Sequence, residues 1–289
     1  MRLPLRLSKR KPSSHKGDFG HVFILAGSEG FTGAAILAAK STLRAGAGLV
    51  TLGVPEGLIE IFEKQVAEVM TLALPETKEH TISLKAFGKI NNFLRRVKVL
   101  ALGPGLSLNS STQQLARKLI ANCALAMVVD ADGLNAFVGH LNLLRRTKDE
   151  GRRTRILTPH PGEMARLIGK NVSYVQVNRK KVAVEFARKF GVTLILKGNN
   201  SVIADSSGKA YVNKTGNPGM ASAGSGDCLT GIVAAFLAQG LDCFDAAKYA
   251  AYIHGLAGDL AANEKGELGL IASDIIEKIP QAIKNSIKH

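Results

Sequence analysis

Residues 213–240 read NKTGNPGMASAGSGDCLTGIVAAFLAQG. Gly219, Gly224 and Gly226 stand just ahead of Asp227, and an apolar, helix-like run follows. Glycines at a helix start let backbone N–H groups turn outward and come close to a ligand. The helix adds the positive end of its dipole, so the place suits a phosphate or a developing oxyanion. Asp227 falls in the first turn, where a carboxylate can take a proton from a hydroxyl while amides hold a phosphoryl group. The competing reading is structural, because Asp is a common N-cap and Gly-rich turns often only connect elements. The length of the stretch, and its companions elsewhere in the chain, favour the functional reading.

Those companions sit in an α/β pattern. His21–Ala26 reads as a buried strand followed by the turn GSEGFTG and a small-residue helix over about Ala34–Ala45. GSEGFTG lacks the GxGxxG spacing of a dinucleotide fingerprint, so it marks a close backbone approach rather than a Rossmann site. Further strands are expected at Leu49–Val54, Val69–Leu72, Val97–Leu102, Leu125–Val129, Arg155–Leu157 and Val192–Leu196. Helices are expected at Gly57–Lys64, Ile82–Arg95, Ser110–Ala121, Gly162–Ile168, Val175–Phe190, Asp242–Asn263 and Ser273–Ser286. Ser201–Ala204 and Ala210–Val212, on either side of Asp205-Ser206-Ser207-Gly208, form a hairpin. Short apolar strands alternating with helices predict a mostly parallel sheet covered on both faces. With no linker or repeat, residues 1–289 are expected to form a single domain, with 1–14 flexible or loosely packed.

Composition narrows the function class. A chain of 289 residues with 46% hydrophobic content can bury a large core, and no apolar run reaches the roughly 18 residues of a membrane span. Cys123, Cys228 and Cys243 show no metal spacing and read as thiols of a reducing cytoplasm. The net charge of +15 is densest at Arg145, Arg146, Lys148, Arg152, Arg153 and Arg155, in a stretch that reads as a loop. No aromatic residue interleaves this cluster and the chain has no Trp, which argues against a base-stacking nucleic-acid surface. A basic surface that attracts polyanionic nucleotides is the expectation. The opening MRLPLRLSKRKPSSHKGD lacks the apolar centre of a signal peptide, although its want of acidic residues before Asp18 leaves a transit peptide open.

In open α/β sheets ligands bind beyond the carboxyl ends of the strands. GSEGFTG, GPG, DADGLN, TPHPGE, KGNNS and GNPGMASAGSGD all follow expected strands. Each has a plain alternative: Asp130 and Asp132 as helix caps, His160 as a loop histidine, Lys197 as a surface charge. Their gathering at one sheet edge is harder to assign to folding alone.

The pattern resembles the ribokinase-like superfamily and, within it, the ADP- or ATP-dependent NAD(P)H-hydrate dehydratases. The likeness runs from about His15 to Asp274: HKGDFGHVFILAGSEGFTGAAILAAKSTLRAGAGLV, TPHPGE, LKGNNSVI and NPGMASAGSGDCLTGI. GxGD is specific only to the superfamily, whereas TPHPGE with the HKG opening and NPGMA points to the dehydratase branch. GSGD stands for the more usual GTGD, DADGLN for DADALN and KGNNS for KGxxT, and no presumed catalytic group is lost.

The resemblance implies a three-layer ribokinase-like fold and repair of the S-form of hydrated NADH or NADPH, coupled to hydrolysis of ADP or ATP. It implies Asp227 as the base and the amides around Ala223, Gly224, Ser225 and Gly226 as the anion hole. Ala35, Gly105, His160 and Asp227 would line the hydrate site, and Lys197, Gly198, Asn199, Asn200, Ser201 and Gly226 would hold the adenine nucleotide. Mg²⁺ would bridge phosphates, mainly through water and substrate oxygens, with no protein cage. A homo-oligomer, a tetramer by the family's precedent, is implied, with no nucleic-acid or membrane partner. The N-terminal epimerase domain often found in the family is not seen in this sequence, so epimerase activity is not expected. Two other readings stay open: a kinase of the same fold acting on a vitamin alcohol, and a non-catalytic nucleotide or nucleic-acid binder.

Overall fold

Alternation along the strands sorts side chains into two cores. In His21–Leu25 (β1), Val22 and Ile24 join one buried cluster, while Phe23 and Leu25 join the other. A strand apolar on both sides, as this one is from Val22 to Leu25, must be covered on both faces, and it is. The computed structural model describes residues 1–144 and 154–287; the expected basic loop at 145–155 lies outside the described residues up to 153, and its last residue, Arg155, is buried in a strand and donates to Ile120 O.

The remaining strands are Leu49–Pro55 (β2), Met70–Leu74 (β3), Val99–Leu102 (β4), Ala126–Val129 (β5), Arg155–Leu157 (β6), Thr193–Leu196 (β7), Val202–Ala204 (β8) and Ala210–Val212 (β9). They form one nine-stranded sheet in the order β3-β2-β1-β4-β5-β6-β7-β8-β9. Pairs from β3 to β7 are parallel, and the β8–β9 hairpin closes the edge antiparallel. The helices are Leu5–Ser8 (α1), Thr32–Arg44 (α2), Ile59–Gln65 (α3), Phe87–Leu94 (α4), Ser110–Asn122 (α5), Ala131–Asn135 (α6), Pro161–Ile168 (α7), Val172–Val177 (α8), Arg179–Phe190 (α9), Ser225–Ala238 (α10), Cys243–Lys265 (α11) and Ala272–Ile287 (α12). One face of the sheet carries α2, α10, α11 and α12; the other carries α4, α5, α7 and α9. The result is the helix–sheet–helix sandwich expected from the sequence.

Helix α10 is buried along nearly its whole length, and small residues let α2 pack closely beside it. A Cβ on Gly231 would stand 2.1 Å from Ser41 Oγ and 2.3 Å from Ala38 O, and one on Gly224 would stand 2.3 Å from Leu37 Cδ1. Because 224 meets 37 and 231 meets 41, the two helices run parallel. The start of α10 is thereby fixed above the sheet's carboxyl edge, close to the reversal of strand order between β1 and β4.

Three expectations change. The helix expected at 82–95 forms only over Phe87–Leu94, because Thr81, Ile82 and Ser83 are buried in a turn and Ser83 Oγ accepts the Lys85 N–H. The helix expected at 175–190 is two, broken at Asn178, whose ψ of 24° leaves the helical region. Part of the segment 1–14 is anchored rather than loose. Leu3 is 4% exposed and its N–H donates to Ser286 O, Arg6 donates to Gly240 O, and Arg10 donates to Gly46 O and lies over the Phe19 ring. No helix among the described residues is long and apolar enough to cross a membrane.

Candidate active site

The start of α10 is an open amide face. Gly224 has φ 87°, and no side chain caps the helix. Among the described residues the N–H groups of Gly226 and Asp227 find no acceptor, so they and the helix dipole are left for an anion. The Gly224 φ and the nearness of Leu37 both demand glycine there.

Asp227 is half-buried beside this face. Burial, and then the neighbouring Asp130 carboxylate, push its carboxyl up from 3.8 to about 7, against the opposing pull of Lys197; Glu163 and Asp132 also raise it. A carboxylate held near neutrality is well matched to general-base work. Burial pushes the thiol of adjacent Cys228 well above its usual value and its Sγ faces Ala272 O, so it packs and is no nucleophile.

A buried network lies next to Asp227. Lys197 Nζ donates to Asp130 Oδ1 at 2.7 Å, and Thr230 Oγ1 donates to Asp130 Oδ2 at 2.7 Å. Glu163 Oε2 lies 3.9 Å from Lys197 Nζ and accepts the His160 N–H at 2.7 Å. Burial alone would lower the Lys197 ammonium, but Asp130 and Glu163 outweigh it and hold the group above its usual value. His160 Nδ1 accepts the N–H groups of Gly162 and Glu163, which leaves Nε2 to carry the proton. Burial and then Lys197 lower the His160 pKa, so this ring is a neutral donor at the mouth of the cleft. His254 is pushed down to about 4 by burial, and its Nε2 lies 3.3 Å from Ser225 Oγ.

A cleft of about 640 Å³ opens between the β7 end, the β8–β9 hairpin and the segments flanking α10. Lys197, Gly198, Asn199, Asn200, Ser201, Ser225, Gly226 and His160 all line it. Met220, Leu229 and Ala251 give it an apolar floor, and Asn213, Asn217 and His254 supply polar groups. This volume suits one nucleotide.

Asp227, Gly105 and Ala35 do not line that cleft. Asp227 borders it through Gly226, while Gly105 sits at the β4 end with φ 61°, against Phe31 O. Ala35 is fully buried, with its methyl against the Gly27 turn. Ala223 is exposed ahead of the helix, and Gly224 is partly exposed.

Sequence reasoning left Asp130, Thr230, Glu163 and His254 out of the site. Asp130 fits a helix cap by sequence, yet makes no cap hydrogen bond. Its position directly after a buried strand, level with Lys197 after another, was the available signal. The HKG opening serves locally: His15 caps a short turn by accepting the Gly17 N–H. Among the described residues no group of three or more His, Cys, Asp or Glu side chains is placed to hold a metal ion, and Asp130 is already committed to Lys197 and Thr230. These side chains therefore do not fit a protein-held ion.

Comparison with known proteins agrees with this geometry. A sequence model of the NAD(P)H-hydrate dehydratase family matches residues 22–281. The chain is 45% identical over 280 residues to the bifunctional NAD(P)H-hydrate repair enzyme Nnr of Moorella thermoacetica, covering 97% of this chain and 52% of that protein. It thus spans about half the length of the curated bifunctional relatives it matches. It is 35% identical to the ADP-dependent (S)-NAD(P)H-hydrate dehydratase of Neisseria meningitidis serogroup B, covering 95% of this chain and 88% of that one. Among solved structures, the ADP/ATP-dependent NAD(P)H-hydrate dehydratase of Bacillus subtilis co-crystallized with ATP/Mg²⁺ superposes with a TM-score of 0.82 at 30% identity, over 97% of this chain and 94% of that one. On its matched length, its ribokinase-like fold and its site, the chain belongs to the NAD(P)H-hydrate dehydratase family.

Proposed function

We propose that this protein dehydrates the S-form of hydrated NADH or NADPH in a step coupled to consumption of ADP or ATP. The observation that carries the reading is Asp227, a carboxyl poised at about 7 in the first turn of a helix whose leading amides have no acceptor. Hydroxide is a poor leaving group from the hydrated ring. Asp227 takes the proton of the ring hydroxyl as its oxygen attacks the terminal phosphorus of the adenine nucleotide. The amides of Gly226 and Asp227 stabilise the charge that gathers on the phosphoryl oxygens, and the shortened nucleotide departs. The ring nitrogen's lone pair then expels phosphate, the carbon–oxygen bond breaks, and loss of a ring proton restores the reduced nicotinamide.

Lys197 to Ser201 and Gly226 hold the adenine nucleotide in the cleft, with neutral His160 as a donor at its mouth. The hydrate lies on the Gly105 side of Asp227. Magnesium would travel with the nucleotide phosphates. A cytoplasmic setting is in keeping with Cys228, a buried thiol packed against Ala272 O. A homo-oligomer is supported by Val172, Tyr174 and Val177, exposed together on α8, and light scattering after size exclusion tests it.

Incubating hydrated NADH with ADP or ATP and Mg²⁺, and following absorbance of the reduced ring, tests the main reading. Recovery of that absorbance only when a nucleotide is present is expected; no recovery with either nucleotide sinks it. A kinase of a vitamin alcohol would use the same hole and base but would accumulate a stable phosphorylated product. Solved kinases of this fold, such as the hydroxyethylthiazole kinase of Pyrococcus horikoshii, are only 14% identical and speak for the fold alone.

A further inference from the structure

Asp130 occupies the N-cap position of α6 but turns its side chain away from that helix. Buried to 1% exposure, it bridges two separate elements: Lys197 at the end of β7, and Thr230 one turn into α10. The chain is distorted to aim it. Ala131, the next residue, has φ 47°, a left-handed conformation that costs a non-glycine residue roughly 1–2 kcal/mol. Gly103 at the β4 end is pressed against the same place, since a Cβ there would stand 1.8 Å from Asp130 O. Strain that surrounding structure enforces is commonest at functional positions.

The consequence falls on Lys197. Its ammonium has three N–H groups, one of which is given to Asp130; Glu163 at 3.9 Å is beyond hydrogen-bond reach. Two donors stay available for another partner. They are held against the amide face, because a Cβ on Gly226 would stand 3.2 Å from Lys197 Nζ. A lysine has a long flexible stem, and only a fixed counter-charge keeps its head in one place. We infer that Asp130 is a positioning residue, braced by Thr230, that pins the Lys197 ammonium beside the first turn of α10 so that ammonium and amides grip the terminal phosphates of the adenine nucleotide together. A side chain at 226 would press on the ammonium, which would have to give by a few tenths of an ångström.

The inference rests on the nucleotide-dependent reading above, and ADP binding tests it without turnover. Titration calorimetry with ADP and Mg²⁺ would be run on the wild type, Asp130→Asn, Thr230→Val and Thr230→Ser, with melting temperatures beside it. Asp130→Asn is expected to weaken ADP binding about tenfold and Thr230→Val about threefold, whereas Thr230→Ser, which keeps the hydroxyl, stays within twofold of wild type. A folded Asp130→Asn protein that binds ADP within twofold of wild type overturns the inference. Should that variant not fold, Thr230→Val decides: wild-type affinity, or an equal loss in Thr230→Ser, overturns it by reducing the pair to packing. A wild type that does not bind ADP is titrated, with the same variants, against ATP, and binding of neither nucleotide overturns both this inference and the proposed function. A wild type that binds ADP but fails to restore hydrated NADH overturns the function alone.

Discussion

Replacing Asp227 with Asn should make the protein more stable as it becomes inactive. The carboxyl is raised from 3.8 to about 7, so its charged form is disfavoured by the fold. An unfolded chain loses this proton near pH 4, whereas the folded one keeps it until near pH 7. Between those values the folded state binds more protons, and stability falls as pH rises. Above pH 7 the full cost applies. At about 1.4 kcal/mol per tenfold change it reaches roughly 4 kcal/mol, and solvent reaching the half-open carboxylate reduces it to about 1–4 kcal/mol. Asparagine has no charge to bury. Asp227→Asn should therefore melt about 2–16 °C above wild type at pH 8, using ~2–4 °C per kcal/mol, and the gap should close toward pH 4. Turnover should fall about 10²- to 10⁴-fold with loss of the base. Paired melts from pH 4 to pH 8, with turnover measured in parallel, check this. An Asn variant less stable than wild type at pH 8, or a gap unchanged across the range, would refute the claim that a costly buried charge sits at the site.

Other outcomes follow from packing and burial. Gly231→Ala drives a methyl to within 2.1 Å of Ser41 Oγ and should destabilise by about 2–3 kcal/mol in urea unfolding. His254 is depressed from 6.5 to about 4, so the unfolded chain takes up its proton first as pH falls; His254→Gln should lose less stability than wild type between pH 6.5 and pH 4. Deleting residues 1–10 exposes the pocket of Leu3 and removes the Arg6 and Arg10 anchors, and should lower the melting temperature by several degrees.

The sheet was legible because its strands are short apolar runs closed by turn residues, a signal that survives without context. Helix limits were less so: Ile82 and Leu84 fit a helical stripe, yet the Ile82 side chain is buried from a turn. Tertiary packing satisfied the apolar pattern without the helix. The open helix start and its acidic residue were readable because GSGD concentrates glycine and a carboxylate at one place. Asp130 was not, because a cap and a counter-ion look alike until the strand ends are brought side by side. Ala35 is small where the Gly27 turn lies on it, and sequence cannot distinguish that need from contact with a ligand.

The close parallel packing of α2 against α10 has a wider consequence. The ground beneath the reacting groups is a rigid plinth of alanines, glycines and hydroxyl residues with little freedom to drift. Substitutions in the rim loops can then change which guest the cleft admits while leaving that plinth untouched. What becomes of that guest is then set by its own chemistry, not by the foundation it stands on.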